Sequence, residues 1–149
     1  MFRKDISAEI TINATPDRVW EIFCAFDAYK DWNPFVKTIT GEVRVGNQIA
    51  VAIQPPGTAG MTFRPTILAF TQNQELRWLG HFVLPGLFDG EHAFQLLDNG
   101  DGNTLFRQSE ICRGLLVPFL RKMLDENTVN GFRAMNAKLK ELAERQQRA

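Results

Sequence analysis

The sequence predicts an α+β fold in the order β-α-α-β6-α, a curved antiparallel sheet wrapped around a long C-terminal helix. Three observations point there. Residues 118–146 read as one amphipathic helix, because Leu116, Leu120, Met123, Leu124, Phe132, Met135, Leu139 and Leu142 recur at steps of three and four. Ile6, Ala8, Ile10 and Ile12 alternate with polar neighbours, the period of a half-buried strand. Between these ends lie six further strand-like runs with mostly short, turn-rich connections, which favours antiparallel neighbours. A sheet that curls round a helix at one end can leave a lined hollow at the other.

Taken in order, Thr15-Pro16 supplies an N-cap and a proline at the first helical position, and Asp17 adds negative charge to the first turn. Val19, Trp20, Ile22 and Phe23 form the inward face of that short helix. A second short helix must stop by Asn33, since Pro34 disfavours helical geometry in the residue before it. Strands are expected over 35–44, 47–54, 61–70, 75–83, 91–97 and 104–112, and residues 54–60 are turn chemistry. Gly114 ends the last strand and Pro118 opens the long helix. The whole chain, 1–149, reads as one domain.

Composition narrows the function. Lys plus Arg and Asp plus Glu are both 17, so the basic excess of a nucleic-acid binder is missing. There are 12 Phe against one Tyr, a bias toward rings without a polar handle that suits a dry interior or an apolar pocket. No apolar run is long enough to span a bilayer and the N-terminus lacks a signal-peptide core, so no stable membrane insertion and a cytoplasmic location are expected. Cys24 and Cys112 have neither disulfide-framework nor metal-ligand spacing. No phosphate loop, dinucleotide fingerprint, paired-His motif or nucleophile elbow is present, and neither a cofactor nor a metal is expected.

The element order, with Ala14-Thr15-Pro16-Asp17-Arg18-Val19-Trp20, Trp32-Asn33-Pro34-Phe35, Leu76-Arg77-Trp78-Leu79-Gly80, residues 85–92, Gln108-Ser109-Glu110 and Gly131-Phe132-x-x-Met135-Asn136, resembles the START-like helix-grip superfamily. More narrowly it resembles the bacterial SRPBCC group, often labelled polyketide cyclase/dehydrase-like. The resemblance covers essentially the whole chain. It implies a deep cavity between sheet and long helix, but not an activity, because the superfamily spans carriers, receptors, cyclases and chaperone-activating domains.

His92, Phe94 and Leu96 share one strand parity and Phe106, Gln108 and Glu110 another, so pairing across the Asn99-Gly100 turn brings Glu110 near His92. Such a pair in an apolar cavity is a candidate for moving a proton or orienting a ligand; it would equally serve as a buried pin of strand register. A one-residue slip would instead turn Arg107 inward and make it the candidate polar group. Trp32, Phe35, Phe63, Trp78, Phe82, Phe88 and Phe94 are candidates for the wall or mouth of the pocket, and Met123, Asn127, Phe132 and Met135 for its helix side. The apolar loop Leu84 to Phe88 is a candidate lid, homodimer contact or fold-back onto the core.

Three functions fit. The first is binding of a small hydrophobic molecule, a lipid, polyketide-like or aromatic metabolite. The second is an enzyme of the cyclase/dehydrase type using His92 with Glu110 or Arg107 for proton transfer. The third is a protein-interaction module docking through the Leu84 to Phe88 loop.

Overall fold

The computed structural model describes residues 2–82 and 84–146. Its elements are β1 (Arg3–Ile12), α1 (Pro16–Phe23), a 3-10 turn (Phe26–Ala28), α2 (Tyr29–Trp32), β2 (Val36–Thr40), β3 (Ala50–Ile53), β4 (Met61–Phe63), β5 (Thr66–Thr71), β6 (Glu75–Phe82), β7 (Phe88–Gly100), β8 (Asn103–Arg113), α3 (Val117–Met123), a π-helical turn (Leu124–Thr128) and α4 (Val129–Gln146). The expected α+β plan is present, and the helix expected over 118–146 runs without a break from Val117.

The strands divide differently from the expectation. The run expected at 61–70 is two strands, because Arg64-Pro65 interrupts it and proline has no donor for a ladder. The expected single sheet is a five-stranded antiparallel sheet, β1-β8-β7-β6-β5, and a three-stranded one, β2-β3-β4. They are sewn together at an isolated bridge, Gln48 to Thr66, where the Gly46 amide donates to the Ile67 carbonyl and the Ile67 amide to the Asn47 carbonyl, both at 2.9 Å. Val83, at the end of the strand expected over 75–83, lies outside the described residues.

Local chemistry accounts for the approach to the core. The Thr15 hydroxyl accepts from the Arg18 amide, and α1 buries Val19, Trp20, Ile22 and Phe23. At the corner after α2 the buried Asn33 side chain accepts from the Phe35 and Val36 amides at 3.0 and 2.9 Å. That Asx-type turn aims Phe35 inward. Phe132, Met135, Leu139 and Ala143 of α4 are fully buried in the core, with α4 lying across β1, β8 and α1. Toward the other end the contact loosens: Leu120 is half-buried and Leu116 and Met123 are exposed. Helix and sheet therefore meet at one end and stand apart at the other.

Candidate functional site

The gap between them is a cavity of about 360 Å³. Its floor is Trp78, Gly80 and Phe82 of β6, Phe88, Gly90 and His92 of β7, and Glu110 of β8. Phe35, Ile53, Met61 and Phe63 make the side wall, and Leu120, Leu124 and Thr128 the roof. The lining runs out to half-buried or exposed Pro55, Thr58, Ala59, Leu116 and Met123, which mark the mouth between the 54–60 loop and α3. Asn127, in the π-helical turn just after α3, ties that loop to the long helix, its amide donating to the Pro56 carbonyl at 3.2 Å.

The floor is open because two glycines face each other across the β6–β7 ladder. Gly80 and Gly90 are register partners, and a Cβ on Gly80 would press to 3.2 Å from the Phe63 ring. A Cβ on Gly90 would sit 3.4 Å from the Glu110 carboxyl carbon. A third glycine sets the far wall: a Cβ on Gly131 would come within 2.5 Å of the Phe35 ring, so only glycine lets that ring lie against the helix. Phe35 then packs edge-on to Phe132 at 5.6 Å and faces His92 at 6.5 Å.

The β7–β8 register pairs His92 with Glu110 and Phe94 with Gln108, which settles the parity question. Arg107 points away and its guanidinium bonds the Glu9 carboxylate at 3.0 Å, so it is not the polar group of the cavity. His92 is 3% exposed, stacked on Phe94 at 4.3 Å with Phe132 at 5.0 Å. Its Nδ1 lies 3.3 Å from Glu110 Oε1 and its Nε2 lies 3.1 Å from Gln108 Oε1.

Behind the histidine runs a chain of amides whose direction is dictated by its far end. The Ala8 carbonyl can only accept, so it takes the Asn136 Nδ2 at 3.1 Å and turns the Asn136 oxygen toward Gln108. Gln108 Nε2 donates to that oxygen at 2.8 Å and lies 3.4 Å from the Phe132 carbonyl, leaving Gln108 Oε1 for His92. His92 Nε2 must therefore carry a proton. The 3.3 Å contact on its other side is a hydrogen bond when the pair shares one more proton, on the imidazole as an ion pair or on Glu110 as a neutral acid. Cys112 adds a weak donor, its Sγ 3.2 Å from Glu110 Oε2. Burial first, and the Glu110 carboxylate second, hold that thiol far above the usual range, so it stays protonated.

Of the residues singled out from sequence, Phe35, Phe63, Trp78, Phe82, Phe88, His92, Glu110 and Met123 line the cavity. Trp32 does not; it packs edge-on to Tyr29 at 5.2 Å. Phe94, Gln108, Phe132 and Met135 sit behind the wall as fully buried core, and Asn127 is spent on the rim. In the 84–88 loop Phe88 turns inward while Leu84 is exposed. Missed from sequence were the glycine pair, the side wall of Ile53 and Met61, and the roof residues Leu120, Leu124 and Thr128. A clue existed for Gly80, which interrupts a strand-like run without a turn signal, whereas Asp89-Gly90 reads as a turn. Among the described residues no cluster of His, Cys, Asp and Glu is placed to hold a metal ion, and no helix is long and apolar enough to cross a membrane.

Fold and cavity together define the class: a helix-grip protein whose sheet and terminal helix enclose an apolar chamber with a single carboxyl–imidazole point on its floor. The chain belongs to the family described as polyketide cyclase / dehydrase and lipid transport, whose model matches residues 3–144. Similar solved structures include the Zhui aromatase/cyclase from Streptomyces sp. R1128, with a TM-score of 0.77 at 16% identity over 99% of this chain and 98% of that one. Norcoclaurine synthase from Thalictrum flavum, in complex with dopamine and hydroxybenzaldehyde, has a TM-score of 0.72 at 14% identity, covering 97% and 88%. A START superfamily protein from Mycobacterium smegmatis has 0.68 at 19% identity, covering 93% and 98%. No curated protein matches the chain by sequence.

Proposed function

We propose that the protein binds a small, largely apolar molecule in this cavity, with the polar end of the ligand at Glu110 and His92. The observation that carries the reading is the chamber itself, about 360 Å³ of space bounded by Phe, Trp, Leu, Ile and Met side chains. That is the low end of ligand pockets, roughly 300–1,000 Å³. It suits one aromatic or polyketide-like scaffold or a single acyl chain better than a two-chain lipid. The matched family, which includes lipid transport, supports the same reading. The balanced charge of the chain supports the accompanying reading that nucleic acid is not its partner.

A second reading, an enzyme of the cyclase/dehydrase type, draws on one specific observation: the His92–Glu110 pair, 3.3 Å apart, faces the cavity. The aromatase/cyclase among the similar structures supports it at the level of fold.

The neutral fluorophore N-phenyl-1-naphthylamine tests the binding reading. Saturable enhancement is expected for the native protein, and it is expected to vanish in Gly90→Leu, which fills the floor, and in Leu120→Trp, which fills from the roof. Unsaturable binding, or full binding by both folded variants, would remove the case for an occupied cavity.

A further inference from the structure

The ionisable point of the cavity is one carboxyl–imidazole pair with no Lys or Arg beside it among the described residues, and this selects among apolar ligands by the chemistry of their single polar group. We infer that the natural ligand is a neutral molecule carrying a hydroxyl, phenol or enol donor, and that free carboxylates and phosphate head groups are excluded. The inference rests on the binding function proposed above and deepens it.

The polar atoms facing the cavity are few. Thr58 and Thr128 supply hydroxyls, and the Thr58 hydroxyl is already given to the Pro55 carbonyl at 2.7 Å. The other polar groups of the lining are His92, Glu110 and the indole N–H of Trp78, and among the described residues no Lys or Arg reaches it. Both nitrogens of His92 are engaged, Nε2 by Gln108 and Nδ1 by Glu110. The imidazole therefore has no free donor for a ligand anion. Glu110 is different. Its two oxygens offer about four acceptor sites, of which His92 takes one and the weak Cys112 donor another. The unused acceptor capacity of the site is concentrated on Glu110, and the donors beside it, the Thr128 hydroxyl and the Trp78 indole, carry no charge.

A ligand carboxylate placed here would bring an uncompensated charge into a dry chamber whose one ionisable pair is already neutral overall, a costly arrangement for a buried anion. A hydroxyl donor gains a bond to a carboxyl oxygen and brings no charge. A ligand amine gains less than its charge suggests, because a proton shared within the pair leaves the two groups neutral together. Gln108 and Asn136 enforce the selection from behind the wall. By keeping Nε2 of His92 occupied they prevent the ring from turning an N–H toward an incoming anion.

Three probes of nearly one shape separate the possibilities: 2-naphthol, 2-methylnaphthalene and 2-naphthoate, titrated calorimetrically into the intact protein at neutral pH. Naphthol is expected to bind about tenfold to a hundredfold tighter than methylnaphthalene, the range of a hydrogen bond to a charged group. Naphthoate is expected to bind weakest of the three. In Glu110→Leu the naphthol advantage is expected to disappear while methylnaphthalene binding persists. Glu110→Gln, which keeps the side chain's shape and adds donors, is expected to raise naphthoate affinity above that of the native protein. Naphthoate binding as tightly as naphthol, or equal naphthol and methylnaphthalene affinities in the native protein, would overturn the inference while leaving the cavity function standing. Failure of all three probes to bind would remove both.

Discussion

Replacing Gln108 by leucine tests the amide chain that holds the histidine. The side chains are similar in size, so the change removes hydrogen bonds with little change in volume. Gln108 is fully buried and its amide serves His92 at 3.1 Å and Asn136 at 2.8 Å. Leucine strands the His92 Nε2 proton and the Asn136 oxygen on residues that are 3% and 2% exposed. Each buried group left without a partner costs about 1–3 kcal/mol, roughly 2–6 kcal/mol for the two. Burying leucine in place of an amide returns about 1–2 kcal/mol. At the midpoints of these ranges the net loss is about 2.5 kcal/mol, which for a chain of this length lowers Tm by about 5–10 °C. Thermal unfolding followed by circular dichroism reads the loss, and nitrogen-15 spectra of the imidazoles read the cause. In the native protein His92 is expected to show a protonated Nε2, and in Gln108→Leu that assignment is expected to relax. Adding Asn136→Leu should cost less than it does alone, because the two residues act through one chain. A Tm for Gln108→Leu within about 2 °C of native, with the His92 spectrum unchanged, would refute the direction assigned to the chain.

Two further outcomes follow from buried groups elsewhere. Tyr29 is the sole tyrosine, 1% exposed, with its hydroxyl donating to the Phe23 carbonyl, and burial raises its pKa well above the ordinary value. Because the folded pKa lies above the unfolded one, this group's stabilising share is complete below about pH 10 and is lost as pH rises beyond it. Phenolate absorbance should therefore appear only with unfolding; reversible ionisation near pH 10 in the folded protein would contradict the burial. Gly131→Val should destabilise by more than the roughly 1–3 kcal/mol typical of overpacking, since the Cβ alone collides with Phe35. The displaced ring has the cavity as its free direction, so binding of N-phenyl-1-naphthylamine should weaken as well; an unchanged melt and titration would count against the close approach.

What was legible in the sequence was what neighbours along the chain determine. The alternation of β1, the Thr15-Pro16 cap and the apolar stripe of the last helix each announce an element through local chemistry. The break at Pro65 was equally local, and there the apolar run from Met61 to Phe70 masked the missing donor. The site was less legible because it depends on pairing. Parity alone left Glu110 and Arg107 as rivals, and only the turn through Gly100, Asp101 and Gly102, all at positive φ, set the register that decided between them. Gly80 and Gly90 become a floor only when β6 and β7 are aligned. Trp32 has the same chemistry as the lining aromatics, but the short α2 leaves it against Tyr29 instead.

The π turn at Leu124–Thr128 has one more consequence. The wider turn joins two stretches of one helix whose inward side chains meet different parts of the protein. Val117–Met123 and the turn itself present Leu120, Leu124 and Thr128 to the cavity, while Val129–Gln146 presents Phe132, Met135 and Leu139 to the core. The downstream half anchors the rod and the upstream half carries the ceiling. A lineage could thus redraw the ceiling for a new guest while the anchor, and the stability invested in it, stayed as it was.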